Sequence, residues 1–192
     1  MLKRILDLLF SVILIILAAI PMGVVVFLIK INAPGPVLFV QQRVGKNKRL
    51  FPIYKFRTMR TDTPKDVPTH LLGNPDAYIT SIGKFLRRTS IDELPQLFNI
   101  FLGHMSFVGP RPALYNQDDL IALRDQYNIN AIRPGLTGWA QVNGRDELPI
   151  PVKVSLDHYY YQNMSLLLDI KIIFKTITSV FKAQGVREGK GV

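Results

Sequence analysis

The chain has no cysteine among its 192 residues, and it has only one tryptophan and three histidines. The absence of cysteine excludes disulfides, zinc–thiolate sites and a cysteine nucleophile. The three histidines are scattered along the sequence, which argues against a histidine metal site. There is also no G-x-x-x-x-G-K-[ST], G-x-G-x-x-G or H-E-x-x-H motif, so the common nucleotide-loop and metalloprotease sites have no support.

Acidic residues are few, with 14 Asp and Glu against 24 Lys and Arg and a formal net charge of +10. This excess predicts a polyanionic partner, which is a nucleic acid, anionic lipid head groups or a phosphorylated substrate. No nucleic-acid-binding module is recognisable, and nucleic acid would leave the apolar segment of the chain unexplained. The length fits one compact domain with some chain left for an anchor.

One uncharged segment, residues 8–29, is long enough for a bilayer and has Ser11 as its only conventionally polar side chain. Basic residues flank both of its ends, whereas a spanning helix usually carries them on its cytoplasmic side. Pro21 has no N–H to donate and therefore bends or breaks a helix. We predict that residues 1–31 form a re-entrant membrane helix broken near Pro21, with a proline-kinked spanning helix as the alternative. Residues 32–192 would then form a single small domain on the cytoplasmic face.

The rest of the chain predicts a mixed α/β fold that is mainly helical. Two β-leaning runs, residues 37–41 and 51–56, predict a short β-hairpin. A proline-containing polar segment, residues 61–80, predicts a surface loop, and residues 133–139 predict a rigid loop. The predicted helices are a short basic one at 81–88, a polar one at 116–131 and a tyrosine-rich one at 152–163. Apolar spacing predicts two more, at 90–102 and in a C-terminal segment that ends near residue 181.

The predicted C-terminal helix is amphipathic and basic. Ile170, Phe174 and Ile177 repeat at helical spacing, and Lys171 and Lys175 lie on an adjoining stripe. This pattern is typical of a helix that lies in a membrane interface. An ordinary surface helix that packs its apolar face on the core explains the pattern equally well.

The densest functional signal is the adjacent pair Asp92 and Glu93 at a predicted helix start. Ser90 and Glu93 match a capping box, so helix capping is one explanation. The other explanation is chemical, since a helix N-terminus with Arg87 and Lys55 would bind phosphate groups. A carboxylate beside them can attack phosphorus or hold Mg²⁺.

Three further arginines lie in stiff turns. Arg111 lies between two prolines, Arg133 precedes a Pro-Gly pair, and Arg145 follows a glycine. A positioned cation benefits from such a setting, and a solvated one does not need it. These arginines predict sites for anionic substrates.

Four motifs resemble the bacterial sugar transferase family, the monotopic phosphoglycosyl transferases that initiate glycoconjugate assembly. They are YKFRTM at 54–59, SIDELPQLFN at 90–99, MSFVGPRP at 105–112 and RPGLTGWAQVNGR at 133–145. The match extends from the anchor to about residue 182, and the length is like that of the minimal members. The chain departs from the pattern at Ile20, where the family commonly has serine before the proline. It departs again at His104, which replaces an aspartate and is not expected to be catalytic.

The resemblance implies an enzyme on the cytoplasmic face of the bacterial inner membrane, with amphipathic interfacial helices and a re-entrant helix. In such a family, Mg²⁺-dependent transfer moves a sugar 1-phosphate from a UDP-sugar to undecaprenyl phosphate, with UMP release, as the first membrane step of polysaccharide or glycoprotein assembly. The reaction passes through a phosphosugar on aspartate, which falls on Asp92, and Glu93 completes the catalytic and metal-binding dyad. The implied substrate-binding residues are Lys55, Arg87, Arg111, Arg133, Arg145 and Asp157.

Two alternatives remain beside this hypothesis. A non-catalytic membrane scaffold that binds anionic lipid would also need basic charge and an apolar anchor. A transferase of the same class that acts on a different sugar would share every motif. We expect the segments 61–80 and 113–131 to determine which sugar is accepted.

Overall fold

The computed structural model describes residues 1–32, 34–64, 75–144 and 148–181. The described strands are β1 (Leu38–Val44), β2 (Leu50–Phe56), β3 (Ser106–Val108) and β4 (Gly135–Thr137). The helices are α1 (Leu2–Asn32), α2 (Ser81–Thr89), α3 (Gln96–Phe101), α4 (Asp118–Gln126), α5 (Trp139–Val142), α6 (Ile150–Gln162) and α7 (Leu166–Phe181). Short 3₁₀ turns lie at Lys46–Lys48, Pro75–Tyr78, Ile91–Glu93 and Ile129–Ala131.

The predicted β-hairpin is confirmed, and the domain is mainly helical as expected. β1 and β2 pair antiparallel, with Leu38 opposite Phe56 and Val44 opposite Leu50. Successive side chains of a strand point to opposite faces, so Phe51 and Ile53 are buried on one face of β2, in a cluster with Leu97 and Ile100. Phe56 is buried on the other face, in a cluster with Val25 and Leu86. Lys55 follows on the face of Phe51 and Ile53, near the end of the strand.

A second pair of strands was not predicted. β4 lies inside the segment 133–139, which the sequence predicts as a loop, and it pairs parallel with β3. Three glycines permit the close approach of these segments. A Cβ atom on Gly109, Gly135 or Gly138 would lie 2.5, 2.1 or 2.1 Å from a backbone atom of the other segment. The two segments therefore run side by side at a distance that only glycine allows.

Helix α1 is long and apolar enough to cross a membrane by length and composition. Its helical backbone continues through Pro21, so the helix does not end at this residue. A proline inside a helix removes one hydrogen bond and can bend the helix without ending it. Most of the apolar surface of α1 is exposed, as Ile16, Leu17 and Ile20 illustrate.

The two ends of α1 both contact the rest of the domain. Near the N-terminus, Oδ1 of Asp7 accepts hydrogen bonds from Ser106 Oγ at 3.1 Å and from the Phe107 amide at 3.2 Å. Near the C-terminus, Val25 and Ile29 are buried in a cluster with Phe56 and Leu86. One stripe of α1 therefore lies along the domain.

Residues in the left-handed backbone conformation lie at helix ends in this domain. Ser90, with φ 57°, ends α2, and the predicted helix 90–102 is observed as the 3₁₀ turn Ile91–Glu93 followed by the short α3. Asn128, with φ 56°, likewise separates α4 from the turn Ile129–Ala131 within the predicted helix 116–131. The predicted helix 152–163 is observed as α6.

The apolar stripe of helix α7 is largely exposed. Leu167, Ile170 and Phe174 are 79%, 63% and 66% exposed, while Ile172 on the opposite side is fully buried. The apolar stripe that the sequence identifies is therefore not packed on the core. Its exposure favours contact with a lipid surface.

Candidate active site

Asp92 and Glu93 lie on the 3₁₀ turn Ile91–Glu93 between α2 and α3. The Ser90 amide donates to the Arg87 carbonyl, which ends α2 just before the two carboxylates. The Ser90 side chain makes no capping hydrogen bond, so the predicted capping box does not form. Helix α3 has only six residues and begins after both carboxylates, so the phosphate-binding helix N-terminus that the sequence predicts is not present either.

The Asp92 side chain is buried, with 8% of the residue exposed. Burial raises the pKa of Asp92 to about 6, because a charged carboxylate loses hydration there. The Lys55 ammonium opposes this rise, the Glu93 charge adds to it, and Arg87 and Arg111 oppose it. Asp92 thus lies within electrostatic reach of three of the predicted cations.

Glu93 has a different environment. Its Oε1 accepts a hydrogen bond from Lys55 Nζ at 2.7 Å and lies 3.7 Å from Arg111 Nη1. Lys55 reaches it from near the C-terminal end of β2. The contact orients both side chains and leaves them partly accessible, at 17% and 21% exposure.

Arg87 is placed by the packing of α2 against residue Thr58. The Thr80 hydroxyl caps α2 by accepting from the Gly83 amide at 3.0 Å, and the Thr80 amide donates to the Thr58 carbonyl at 3.0 Å. A Cβ atom on Gly83 would lie 2.0 Å from that carbonyl oxygen, so glycine permits the approach. Arg87 Nε then donates to Thr58 Oγ1 at 3.0 Å.

Arg111 follows β3, just after Gly109, where the chain runs close beside Gly135 and Gly138. The Gly109 amide donates to the Thr137 carbonyl and the Gly135 amide to the Pro110 carbonyl, both at 2.9 Å. These backbone bonds fix the chain immediately before Arg111. The two motifs identified in the sequence, 105–112 and 133–145, therefore act together to place this cation.

These side chains line a cavity of about 2110 Å³. Its charged wall includes Lys55, Arg57, Arg87, Asp92, Glu93 and Arg111. Its apolar walls come from α1, with Phe10 and Leu14, and from α7, with Ile170, Ile173 and Ile177. The cavity thus joins a cationic, carboxylate-bearing region to a long apolar surface.

The other predicted site residues lie elsewhere. Arg133 Nε donates to the Gly103 carbonyl at 2.9 Å, beyond the C-terminal end of α3, and does not line the cavity. Asp157 is 1% exposed and bonds Arg124, so its predicted direct contact with substrate is not supported. Arg145 lies outside the described residues.

The site has two carboxylates and no larger ligand cluster. Within residues 1–32, 34–64, 75–144 and 148–181, no group of three or more His, Cys, Asp or Glu side chains could hold a metal ion. His104 lies against Phe51 at a ring distance of 5.5 Å and does not line the cavity. Any ion at this site would therefore use Asp92 and Glu93 together with substrate and water oxygens.

Sequence reasoning missed three side chains in this region. Arg57 and Thr58 are buried and line the cavity, and the motif 54–59 carries a signal for them. Arg124 is 4% exposed and also lines the cavity, but it lies outside every motif. An arginine in a polar helix normally indicates a solvated face, so the sequence offers no local sign of its burial.

Comparison with known proteins places the chain in a family. Residues 1–183 match the family model described as bacterial sugar transferase. The chain is 41% identical to the UDP-N-acetylgalactosamine-undecaprenyl-phosphate N-acetylgalactosaminephosphotransferase of Aeromonas hydrophila, over 96% of this chain and 45% of that protein. It is 43% identical to the undecaprenyl-phosphate glucose phosphotransferase of Komagataeibacter xylinus, over 91% of this chain and 35% of that protein.

A third relative is similar in length. The exopolysaccharide production protein PSS of Rhizobium leguminosarum bv. phaseoli is 43% identical over 81% of this chain and 82% of that protein. The chain spans less than half of the length of the first two relatives and most of the third. Because the family match includes all four motifs and the Asp92 site that they build, this chain belongs to the bacterial sugar transferase family.

Proposed function

We propose that this chain transfers a sugar 1-phosphate from a UDP-sugar to undecaprenyl phosphate and releases UMP. The observation that carries the proposal is the buried Asp92 carboxylate at the wall of a large cavity, with Lys55, Arg87 and Arg111 as its cationic neighbours. The printed names of two relatives support the reaction class. Those names specify different sugars, so the class carries over to this chain and the sugar does not.

The proposed reaction has two displacements at one phosphorus. First, an Asp92 oxygen attacks the phosphorus that carries the sugar, the bond from that phosphorus to the bridging oxygen breaks, and UMP leaves with the oxygen. An oxygen of undecaprenyl phosphate then attacks the same phosphorus. The bond to Asp92 breaks, which restores the carboxylate and gives a polyprenyl diphosphate sugar.

A covalent step suits this site better than general-base catalysis does. Both substrates are bulky anions, and the described cations converge on one location, so a covalent intermediate lets the substrates react one at a time. Undecaprenyl phosphate is already ionised near neutral pH, and a base would gain little by removing another proton. Lys55, Arg87 and Arg111 would bind the phosphate oxygens and offset the negative charge near Asp92.

We assign Mg²⁺ to the Asp92–Glu93 pair. Mg²⁺ is commonly bound by one or two carboxylates plus substrate phosphates and water, which matches the two-carboxylate site. When bound there, the ion would neutralise charge on the phosphate oxygens. Glu93, already oriented by Lys55, would present its remaining oxygen lone pairs to the ion.

The apolar walls of the cavity support a lipid acceptor. Phe10 and Leu14 of α1 and Ile173 and Ile177 of α7 line the same cavity as Asp92. Binding of an isoprenoid chain over this surface would be favourable by about 25 cal/mol for each Å² of apolar area that it removes from water. A soluble acceptor would leave the surface unused.

The docking of α1 supports attachment at the cytoplasmic face of the inner membrane. Asp7 and Ile29, at opposite ends of α1, both contact the domain, although they are about 33 Å apart along an α-helix. A helix that crosses the bilayer away from the domain would contact it at one end only. Contact at both ends favours a re-entrant or in-plane path, and the basic flanks of α1 favour the cytoplasmic side.

The proposal is tested by measuring UMP release from a panel of UDP-sugars with Mg²⁺ and undecaprenyl phosphate in detergent or nanodiscs. We expect at least one donor to give turnover that stops in Asp92→Asn and after chelation with EDTA. Asp125→Asn, which changes an exposed carboxylate paired with Lys48 on the surface, is the matched control and should retain activity. A lipid-binding scaffold would release no UMP from any donor.

A further inference from the structure

Two arginines hold consecutive carbonyl groups next to the active site. Arg124 Nη1 donates to the Arg111 carbonyl at 2.9 Å, and Arg43 Nη1 donates to the Pro112 carbonyl at 3.1 Å. The Val44 amide then donates to the Ala113 carbonyl at 3.0 Å. The backbone that carries Arg111 is therefore held from both sides, by β1 and by α4.

Arg124 is itself fixed by a buried partner. Its Nε and Nη2 both donate to Oδ2 of Asp157, at 3.0 and 2.5 Å, and the two side chains are 4% and 2% exposed. Burying a charged pair is unfavourable unless its hydrogen-bonding groups are well used. Here the planar guanidinium uses two of its nitrogens on the carboxylate and directs the third to the Arg111 carbonyl, which a lysine ammonium could not do with the same geometry.

We propose that Arg124 and Asp157 are positioning residues that hold the Arg111 guanidinium toward Glu93 and the phosphate groups of the substrate. The restraint on Arg111 follows from the contacts above, and its value for phosphate binding rests on the proposed function. A shift of about 1 Å in such a group can reduce turnover by about a hundredfold.

The same two residues could instead serve only to join α4 to α6. Val154 of α6 and Leu120 of α4 already belong to one buried cluster with Ala113, so the helices are also packed by apolar contact. The two roles differ in one respect. A packing role is independent of the Arg111 side chain, whereas a positioning role has no effect once that side chain has been removed.

The experiment replaces the pair by apolar residues, Arg124→Met with Asp157→Leu, so that no buried charge is left without its partner. Turnover is measured with and without Arg111→Ala in a double-mutant cycle. We expect the pair replacement to lower kcat/KM by roughly tenfold to a hundredfold when Arg111 is present. In the Arg111→Ala background we expect a change of less than about twofold.

The matched control is Asp125→Asn, the next residue of α4, which breaks the exposed ion pair with Lys48 and should change kcat/KM less than about twofold in either background. Equal losses in the two backgrounds would overturn the positioning role. If the double replacement does not fold, Arg124→Lys decides, because it keeps the charge opposite Asp157. We expect Arg124→Lys to lower kcat/KM only when Arg111 is present, and equal losses would again overturn the proposal.

A readout without turnover separates this inference from the proposed function. Inorganic pyrophosphate should raise the unfolding temperature of the wild type through the cationic site, and the pair replacement should reduce that rise only when Arg111 is present. If the pair replacement reduces the rise in unfolding temperature by the same amount in the Arg111→Ala background, the inference is rejected, even if the enzyme is active. Conversely, a wild type that releases no UMP but shows the expected coupling rejects the proposed function and leaves the positioning role supported.

Discussion

Nζ of Lys55 lies 2.7 Å from Oε1 of Glu93, and this contact gives the two adjacent carboxylates different roles. Glu93 is oriented and partly neutralised by Lys55, with Arg111 Nη1 3.7 Å away from the same oxygen. Asp92 is more deeply buried, and its pKa is raised to about 6. An ionised Asp92 is therefore a poorly hydrated anion in reach of cations, which favours its use as the nucleophile.

A covalent intermediate should form without the acceptor. UDP-sugar and Mg²⁺ alone are expected to give about one equivalent of UMP and a phosphosugar adduct on Asp92, which intact mass after an acid quench would detect. Asp92→Asn should lose both the adduct and turnover while it still folds. Residual activity within about tenfold of the wild type corresponds to less than about 1.4 kcal/mol of barrier and is incompatible with a nucleophile.

If UMP appears only after undecaprenyl phosphate is added and no adduct is trapped under any quench, a sequential mechanism is the better explanation. Asp92 and Glu93 would then serve as a metal and base site. This outcome leaves the overall transfer reaction intact and rejects only its covalent route.

The acidic limb of the pH profile should report Asp92. Because the nucleophile must be ionised, kcat/KM measured at a low Mg²⁺ concentration, where the free enzyme holds no ion, is expected to fall as pH drops through about 6. Lys55 lowers this pKa and Glu93 raises it, so Lys55→Met should move the limb to higher pH and Glu93→Gln to lower pH. Lys48→Met removes a surface lysine and serves as the control. If neither Lys55→Met nor Glu93→Gln shifts the acidic limb, the limb reports the ionisation of a group other than Asp92.

The stability of the folded domain should depend on the charge of Asp92. Its pKa rises from 3.8 to about 6 on folding, so the folded state favours the protonated form and loses stability as pH rises from about 4 through 6. Asp92→Asn, which stays neutral, should increase the free energy of unfolding above pH 6 by on the order of 3 kcal/mol. Thermal unfolding at pH 7.5 and pH 4 checks this. If Asp92→Asn is more stable than the wild type by the same amount at both pH values, the charge of Asp92 is not the cause.

The path of α1 can be tested with single cysteines, because the chain has none of its own. Leu2 and Ile31 lie at opposite ends of α1 and are 59% and 69% exposed. If α1 is re-entrant, Leu2→Cys and Ile31→Cys should both resist a membrane-impermeant maleimide in intact cells and react after permeabilisation. Reaction of one site alone in intact cells would show a spanning helix. Pro21→Leu should increase the spanning fraction, since it restores the hydrogen bond that proline removes.

Local sequence determined much of this protein. The hairpin, α2, the exposed apolar stripe of α7 and the apolar length of α1 follow from patterns within a few residues, because periodicity and turn chemistry act at short range. The motifs also identified Asp92, Glu93, Lys55, Arg87 and Arg111, and the structure brings these five side chains together.

Only the tertiary structure decided where the remaining charges act. Arg124 is polar and unremarkable in sequence, yet packing of α4 on α6 buries it against Asp157 and connects it to the Arg111 carbonyl. Arg133 lies in a motif as suggestive as that of Arg111, but in the folded domain it donates to the Gly103 carbonyl and does not line the cavity. Such outcomes depend on contacts between residues 13 to 33 positions apart, and spacing along the chain specifies only the geometry of near neighbours.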